Sequence, residues 1–203
     1  METNQGLLIE KISRIFFTKG FQKISMDELA LTLKISKKTF YKYFPSKEQI
    51  VRDCAFTFLK KNIEAIQSIA ASDENPILKY LQLLSHIGNN IATINKVWLE
   101  DVRSSMPSLW TEIDEFRKLT LESSMQILYR EGLQQGLFKE YPEGLIVRLF
   151  SVSIRGIMHP DFILNADFEP KTALMNTIHL LLTGILTEKG MKVYKEIQKR
   201  NEL

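Results

Sequence analysis

The stretch Ser36-Lys-Lys-Thr-Phe-Tyr-Lys-Tyr-Phe-Pro-Ser-Lys47 combines a helix start, a helix stop and a basic surface, and the fold of the chain can be worked out from it. Ser36 can cap a helix that begins at the next residue, and Pro45 cannot continue it, so the helix is about two turns long. Phe40 and Phe44, four residues apart, form its buried face and leave the lysines and hydroxyls outward. The stretch has four lysines and no acidic residue, which predicts a polyanionic partner.

Signals before this stretch predict two further helices. Gly20 lies where a left-handed residue would end a first helix. Ser25 and Glu28 have the spacing of a capping box, which starts a second helix that ends near Leu33. Only two residues then separate this helix from the cap at Ser36. Two short helices joined by so tight a turn predict a helix-turn-helix.

Charge is distributed unevenly along the chain. Residues 1–60 contain eleven Lys and Arg against six Asp and Glu, whereas the remainder contains sixteen against eighteen. A basic N-terminal module is therefore joined to a mildly acidic body, which predicts that the polyanion binds the first part only.

The rest of the chain predicts helices only. A capping box at Ser46 starts a long fourth helix, and Pro76 and Pro107 lie at the starts of a fifth and a seventh, with a shorter sixth between them. No strand alternation occurs, so the predicted class is all-α. Its 203 residues, 44% of them hydrophobic, suffice for one large or two small domains. We predict a helix-turn-helix domain over residues 1–46 and a helical bundle domain for ligand binding and dimerisation over residues 47–203.

Residues 145–158 and 172–186 are apolar on nearly all sides. A helix of this kind must be buried on both faces. One face can pack within its own domain and the other against a second copy, which predicts a homodimer through a two-fold four-helix bundle. The alternative is that both segments are central helices of a monomer. The side chains predicted for the dimer interface are Leu145, Leu149, Val152, Ile157, Leu174, Ile178, Leu181, Leu182 and Ile185.

The sequence carries no catalytic, cofactor or metal pattern. His86, His159 and His179 lie far apart in no metal-ligand spacing, and there is no Gly-rich phosphate loop. Asp161, close to His159, is interpreted as part of a loop. The single Cys54 cannot form an intramolecular disulfide and is expected to be buried. With neither a secretion signal nor an apolar run of about 18 residues, we expect a non-enzymatic protein without a cofactor that stays in the cytoplasm, off the membrane.

The N-terminal quarter has a pattern that is specific in its order and spacing. It comprises Gly20-Phe21, Ile24-Ser25-Met26, Leu29-Ala30, Ile35-Ser36, Thr39-Phe40-Tyr41 and Tyr43-Phe44-Pro45-Ser46-Lys47-Glu48. With this pattern the chain resembles the DNA-binding domain of TetR-family transcriptional regulators. It departs from the family at Lys34, where a turn glycine is common, and at Lys38, where a small residue often precedes the threonine.

The resemblance implies that the third helix enters the major groove of double-stranded operator DNA. The residues it implies as DNA contacts are Ser25, Ser36, Lys37, Lys38, Thr39, Tyr41, Lys42, Tyr43 and Lys47. The physics of Lys47 agrees, because the N-terminus of a helix attracts phosphate through its free N–H groups.

The resemblance also implies a small-molecule effector bound among the C-terminal helices. Candidate pocket residues are Phe58, His86, Asn90, Trp98, Trp110, Phe116, Met125 and Tyr129, although ordinary core packing explains each of them as well. The predicted function is a dimeric repressor that binds a pseudo-palindromic operator and releases it when the effector binds. Two alternatives stay open: a DNA-bound activator or co-regulator that senses no ligand, and an all-α ligand carrier or enzyme with a vestigial basic module.

Overall fold

The computed structural model describes residues 4–201, except for the side chains at positions 4, 91 and 201. The described residues form helices joined by short connections, and their β structure is limited to an isolated antiparallel bridge between Phe138 and Leu186. The predicted all-α class is therefore confirmed. The helices are α1 (Asn4–Lys19), α2 (Met26–Thr32), α3 (Lys37–Tyr43), α4 (Lys47–Ala70), α5 (Pro76–Ala92), α6 (Lys96–Ser105), α7 (Pro107–Gln134), α8 (Glu143–Ile157), α9 (Pro160–Asn165), α10 (Pro170–Ile185) and α11 (Glu188–Asn201).

Caps that are visible in the sequence define the first helices. Gly20, with φ of 75°, follows the end of α1. The Ser25 hydroxyl accepts a hydrogen bond from the Glu28 N–H at 3.2 Å, and the Glu28 carboxylate accepts one from the Ser25 N–H at 2.6 Å. The Ser36 hydroxyl accepts a hydrogen bond from the Thr39 N–H at 3.1 Å. The predicted starts of α2 and α3 are thus confirmed, each with an orphan N–H satisfied by its cap.

Two helices were not predicted. The predicted loop around Asp161 is instead the first turn of α9, in which the His159 ring accepts a hydrogen bond from the Asp161 N–H at 3.3 Å. Its six residues are too few to show a helical period. The other helix, α11, is largely charged and buries Tyr194. Both helices escape a search for apolar stripes because their apolar residues are few or widely spaced.

Backbone contacts divide the chain into two compact units. We call the chain up to Asn62 together with Thr93–Ile113 the N-terminal unit, and Ile63–Ala92 together with the chain from Asp114 onward the C-terminal unit. Because α4 and α7 are continuous through these limits, each contributes residues to both units. The division into a helix-turn-helix domain over residues 1–46 and a helical domain over residues 47–203 stays a prediction.

Aromatic packing forms much of the core of the N-terminal unit. Phe40 and Phe44 are completely buried, with ring centroids 5.1 Å apart. Phe16 is also completely buried and packs against Phe21 at 6.0 Å. Full burial of a Phe side chain contributes about 1.5–3 kcal/mol, so these rings supply a large part of the apolar burial that holds the first three helices together.

The core of the C-terminal unit is built on α5, which packs against α10 and α11. The Tyr80 ring lies 5.7 Å from Phe138 and 5.2 Å from Phe150. Next to Tyr80 in sequence, the almost fully buried Lys79 donates to Glu131 at 2.8 Å and to the Ala70 carbonyl at the C-terminal end of α4 at 3.1 Å. A cation at this end of a helix satisfies orphan carbonyls and complements the helix dipole.

The predicted dimer-interface residues fall into two groups. Leu145, Leu149 and Val152 are 51%, 44% and 49% exposed along one face of α8, and Leu181 is half-buried. The remaining five are buried in the chain's own core, so they have almost no surface left for a partner: Ile157, Leu174, Ile178, Leu182 and Ile185. On α10 the exposed apolar residue is instead Leu180, at 70%. Neither helix is buried on both faces by the single chain.

The turn between α2 and α3 places Lys34 in the left-handed region, with φ of 57°. The Lys34 N–H bonds to Leu31 at 3.0 Å and the Ile35 N–H to Ala30 at 3.1 Å, the pattern of a Schellman motif. A residue with a Cβ atom pays about 1–2 kcal/mol for this conformation.

We expect Lys34→Gly to increase the free energy of unfolding by about 1 kcal/mol, because relief of the left-handed strain exceeds the added entropy of the unfolded chain. The midpoint of urea unfolding measures the change. Lys34→Ala is the control, since it removes the same side chain and keeps the strain. A glycine variant no more stable than the alanine variant would contradict this explanation of the turn.

Candidate nucleic-acid interface

The outward face of α3 has the side chains that the sequence predicted. Lys38, Thr39 and Lys42 are exposed, and Tyr41 is 46% exposed, whereas Phe40 is fully buried. Because Phe40 and Phe44 hold one side of the helix in the core, the basic side must face solvent. The helix is therefore fixed in rotation by its packing and not by its charges.

Asp27 on α2 contacts this basic face, although no acidic residue occurs within residues 36–47. Its carboxylate accepts a hydrogen bond from the Lys37 ammonium at 2.6 Å and one from the Tyr41 hydroxyl at 3.3 Å. The hydrogen bond and charge of Lys37 lower the pKa of Asp27 below its ordinary value, and the same pair raises the pKa of Lys37. Two of the predicted DNA-binding side chains thus share one carboxylate.

Three further hydroxyls of the predicted set take part in structural hydrogen bonds. Ser25 and Ser36 are the caps described above, and the Ser36 and Thr39 hydroxyls lie 2.8 Å apart in hydrogen-bond contact. The Ser36 oxygen is therefore committed to the start of α3. Tyr43 is half-buried, and its ring centroid lies 6.3 Å from that of Phe44.

Lys38 and Lys42 differ from the other predicted contacts. Within the described residues, neither makes a hydrogen bond or an ion pair. They lie four residues apart on α3, a spacing at which like charges repel each other. These two ammonium groups are the part of the face that is ready to bind an anion.

Lys47, in the first turn of α4, faces the connection between α1 and α2. Its ammonium donates a hydrogen bond to the Gln22 carbonyl at 2.7 Å, and partial burial lowers the pKa of Lys47 below its ordinary value. Lys47 thus supports the chain just before the Ser25 cap, a role that the sequence did not predict.

The same connection is held from α6 by Asp101. One carboxylate oxygen of Asp101 accepts hydrogen bonds from the Phe21 N–H at 2.6 Å and the Gln22 N–H at 2.9 Å. The side-chain amide of Gln22 donates a hydrogen bond to the Ser104 hydroxyl at 2.9 Å. We call Asp101 with these two backbone amides the Asp101 clamp. It joins α6 to the entrance of the helix-turn-helix within the N-terminal unit.

Sequence reasoning missed Asp27 and Asp101 for a geometric reason. Asp27 is ten residues from Lys37, and Asp101 is about 80 residues from the amides that it binds. Only the paired positions of α2 and α3, or of α1 and α6, bring these groups together. One feature of the sequence could have indicated the role of Asp27, because this residue lies in the first turn of the helix that precedes the basic one.

The predicted pocket residues are distributed over both units. In the N-terminal unit Trp98 is 3% exposed and packs edge-on against Phe17 at 5.2 Å. In the C-terminal unit His86 and Asn90 contact each other at 2.9 Å, and the Tyr129 hydroxyl bonds the backbone of residues 139 and 141. Of the others, Phe116 is exposed, Trp110 and Phe58 are half-buried and Met125 is fully buried. The pocket itself stays a prediction.

Metal binding, membrane crossing and thiol chemistry have little support among the described residues. Among the residues that it describes, there is no group of three or more His, Cys, Asp and Glu side chains that could hold a metal ion. Over the same residues, no helix combines the length and the apolar character needed to cross a membrane. Cys54 is completely buried, as expected, and burial raises the pKa of its thiol to about 12, which keeps it protonated at neutral pH.

The architecture defines the class of protein: an all-helical chain with a capped helix-turn-helix that exposes a basic second helix. Residues 8–54 match the family model described as bacterial regulatory proteins of the tetR family. Among solved structures, a transcriptional regulator from Cytophaga hutchinsonii has the same fold, with a TM-score of 0.73 over 89% of this chain and 97% of that one, at 17% identity.

Curated relatives extend the likeness over most of the chain. An uncharacterized HTH-type transcriptional regulator of Bacillus subtilis is 24% identical over 183 residues, which are 90% of this chain and 95% of the relative. The fatty acid metabolism regulator protein of the same species is 27% identical over 189 residues, or 88% and 93%. The predicted resemblance to the TetR family of transcriptional regulators is confirmed by the family-model match and by these relatives.

We expect Asp101→Ala to free the Phe21 and Gln22 amides and to destabilise the N-terminal unit by about 1–3 kcal/mol, the cost of leaving hydrogen-bonding groups unpaired. Amide hydrogen exchange measures the loss of protection at these two positions. Glu100→Ala is the matched control, since it removes an exposed carboxylate one residue away. Equal exchange at the two amides in both variants would contradict the clamp.

Proposed function

We propose that this regulator is a repressor that binds a pseudo-palindromic operator as a homodimer and is released by a small-molecule effector. The observation that carries the DNA-binding part is the outward face of α3, on which Lys38 and Lys42 have no partner among the described residues. Repulsion between two like charges this close destabilises the two-turn helix in the free protein. A polyanion bound to the same charges replaces this repulsion with attraction.

The contacts of the face suggest a division of labour on DNA. Lys42 supplies an unengaged cation for phosphate, which gives affinity without sequence information. Lys38 and Thr39, in the first turn of α3, are the residues that we propose to reach base edges, because helix-turn-helix proteins read the major groove with the N-terminal part of this helix.

Asp27 limits what Lys37 and Tyr41 can do on DNA. Their hydrogen bonds to its carboxylate hold both side chains in place, but the carboxylate also carries negative charge to a surface that would meet phosphates. We propose that Lys37 and Tyr41 are positioned by Asp27 and contribute to orientation, while Lys38 and Lys42 contribute most of the attraction.

The exposed apolar face of the C-terminal unit supports the proposed dimer. Leu145, Leu149 and Val152 follow one another at i, i+4 and i+7 on α8, the spacing of a single helix face. Leu180 on α10 is also exposed, and a Cβ atom added at Gly184 would have no described atom within 4 Å apart from its own stretch of helix. An apolar stripe next to open backbone suits an isologous interface, and two-fold symmetry would match a palindromic operator with half-sites about 34 Å apart.

Two buried hydroxyls in the C-terminal unit support the proposed effector. Tyr80 and Ser151 are completely buried, and their oxygens have no hydrogen-bond partner within the described structure. Buried hydroxyls without a partner are costly and infrequent, so they are candidate anchors for a ligand. With the apolar rings around Tyr80, they favour an effector with a largely apolar body. The relationship to a regulator of fatty acid metabolism is consistent with such a molecule.

The proposed release is a linked equilibrium. An effector that binds better to the conformation with poor DNA affinity weakens DNA binding by the factor by which DNA weakens effector binding.

Genome-wide recovery of DNA fragments bound by the protein in its host tests the function as a whole. Recovery of a palindromic site upstream of genes that become more active when the regulator is deleted is the expected result. Genes that become less active would favour the activator instead.

We expect Lys38→Ala and Thr39→Ala to change the sequence preference of binding, whereas Lys47→Ala weakens binding by a similar factor on every sequence. The reason is that base-edge contacts specify sequence and the Lys47 end of α4 only positions the protein. Selection from a random DNA library, followed by affinity measurements on the selected duplexes, separates the effects. An unchanged selected sequence for both α3 variants would contradict the assignment of base contacts.

We expect Leu149→Glu to convert a dimer into monomers, because it places a charge in the centre of the proposed interface. Molar mass from light scattering during size-exclusion chromatography measures the result. Leu31→Glu is the matched control, since Leu31 is 80% exposed on α2 in the N-terminal unit. A Leu149 variant with the same mass as the control would rule out this face as the interface.

A further inference from the structure

A groove of about 370 Å³ lies between α1 and α4 in the N-terminal unit. Its lining residues belong to the N-terminal unit and include none of the side chains predicted to contact DNA and neither of the two buried hydroxyls. Its size lies at the lower end of the range for small-molecule sites, roughly 300–1,000 Å³. Of the candidate effector-pocket residues, Phe58 lines it.

The floor of the groove is aromatic. Phe17 on α1 and Phe58 on α4 meet edge to face with ring centroids 5.1 Å apart. Phe17 is also held from behind by Trp98, and its carbonyl accepts a hydrogen bond from the Asn95 N–H at 2.9 Å. Phe58 is only half-buried, so part of its ring remains available. The floor is thus rigid and offers apolar surface.

The rim of the groove is cationic. Lys61 on α4 forms an ion pair with Glu10 on α1 across one part of the groove. Arg14, one turn along α1 from Glu10, is exposed and brings a second positive charge to the same rim. The charges of these three side chains leave one net positive charge, carried on a guanidinium that can bind a carboxylate with two parallel hydrogen bonds.

We propose that this groove binds small amphipathic monocarboxylates, with the apolar body on Phe17 and Phe58 and the carboxylate on Arg14. One surplus cation matches one negative charge. The apolar floor selects against small hydrated anions, which have no surface to bury on it. A ligand in this position contacts both α1 and α4 and stabilises their packing in the N-terminal unit.

Octanoate is the probe, octanamide is its neutral analogue of the same size, and calorimetric titration of the full-length protein measures both. We expect octanoate to bind more tightly than octanamide. Arg14→Gln weakens octanoate binding on the order of tenfold and leaves octanamide binding unchanged, because it removes only the charge-assisted contact. Lys11→Gln is the matched control, since it removes an exposed cation from α1 outside the groove.

Thr57→Trp tests the location, because Thr57 lines the groove and a larger side chain there fills it. We expect this variant to bind neither compound while its thermal unfolding remains cooperative. Equal affinities of wild type for the two compounds, or octanoate binding that is unchanged by both Arg14→Gln and Thr57→Trp, would overturn the proposal. Absence of octanoate binding to the wild type at millimolar concentration would also overturn it. None of these outcomes bears on DNA binding, which is measured separately.

Discussion

Burial of Phe40 and Phe44 is the constraint on which the functional surface depends. Phe40 lies in α3, a helix only seven residues long, and Phe44 is the C-cap of that helix. Both rings are completely buried. So short a helix has little stability of its own, and it exists because it packs. Packing also fixes its rotation, since turning α3 by one residue would move a phenylalanine into water and a lysine into the core. The basic face is therefore a consequence of the apolar one.

The entrance to the helix-turn-helix is held by charged groups from outside it. The Asp101 clamp fixes the connection after α1 from α6, and Lys47 fixes the same connection from the start of α4. Ser25, the N-cap of α2, follows this connection directly. The position of the connection therefore sets where α2 begins and, through α2, where α3 lies. A movement of α6 within the N-terminal unit would therefore be transmitted towards the outward face of α3 through hydrogen bonds to backbone amides. We propose it as a physical route for the effector control described above.

Local chemistry accounts for what could be predicted from the sequence. The starts of α2 and α3, the end of α1 at Gly20 and the buried pair on α3 all depend on residues within one or two turns of each other. Asp27, the Asp101 clamp and the separation of core from exposed residues on α8 and α10 depend on neighbours distant in sequence. Leu149 and Ile178 have similar side chains in similarly apolar helices, yet one is 44% exposed and the other is completely buried. Apolar periodicity alone does not separate such positions, because it records hydrophobicity and not the packing partner.

A steep salt dependence of DNA affinity should follow from the unengaged cations Lys38 and Lys42 on the outward face of α3, on which Asp27 pairs with the neighbouring Lys37. Fluorescence anisotropy of a labelled operator duplex, titrated with protein at several salt concentrations, measures this dependence. We predict that Lys42→Ala reduces the slope of log affinity against log salt by about 0.9 for each phosphate that is no longer neutralised. Asp27→Asn should raise affinity at low salt without reducing that slope. An unchanged salt dependence in Lys42→Ala, or weaker binding in Asp27→Asn at every salt concentration, would contradict the proposed role of this face.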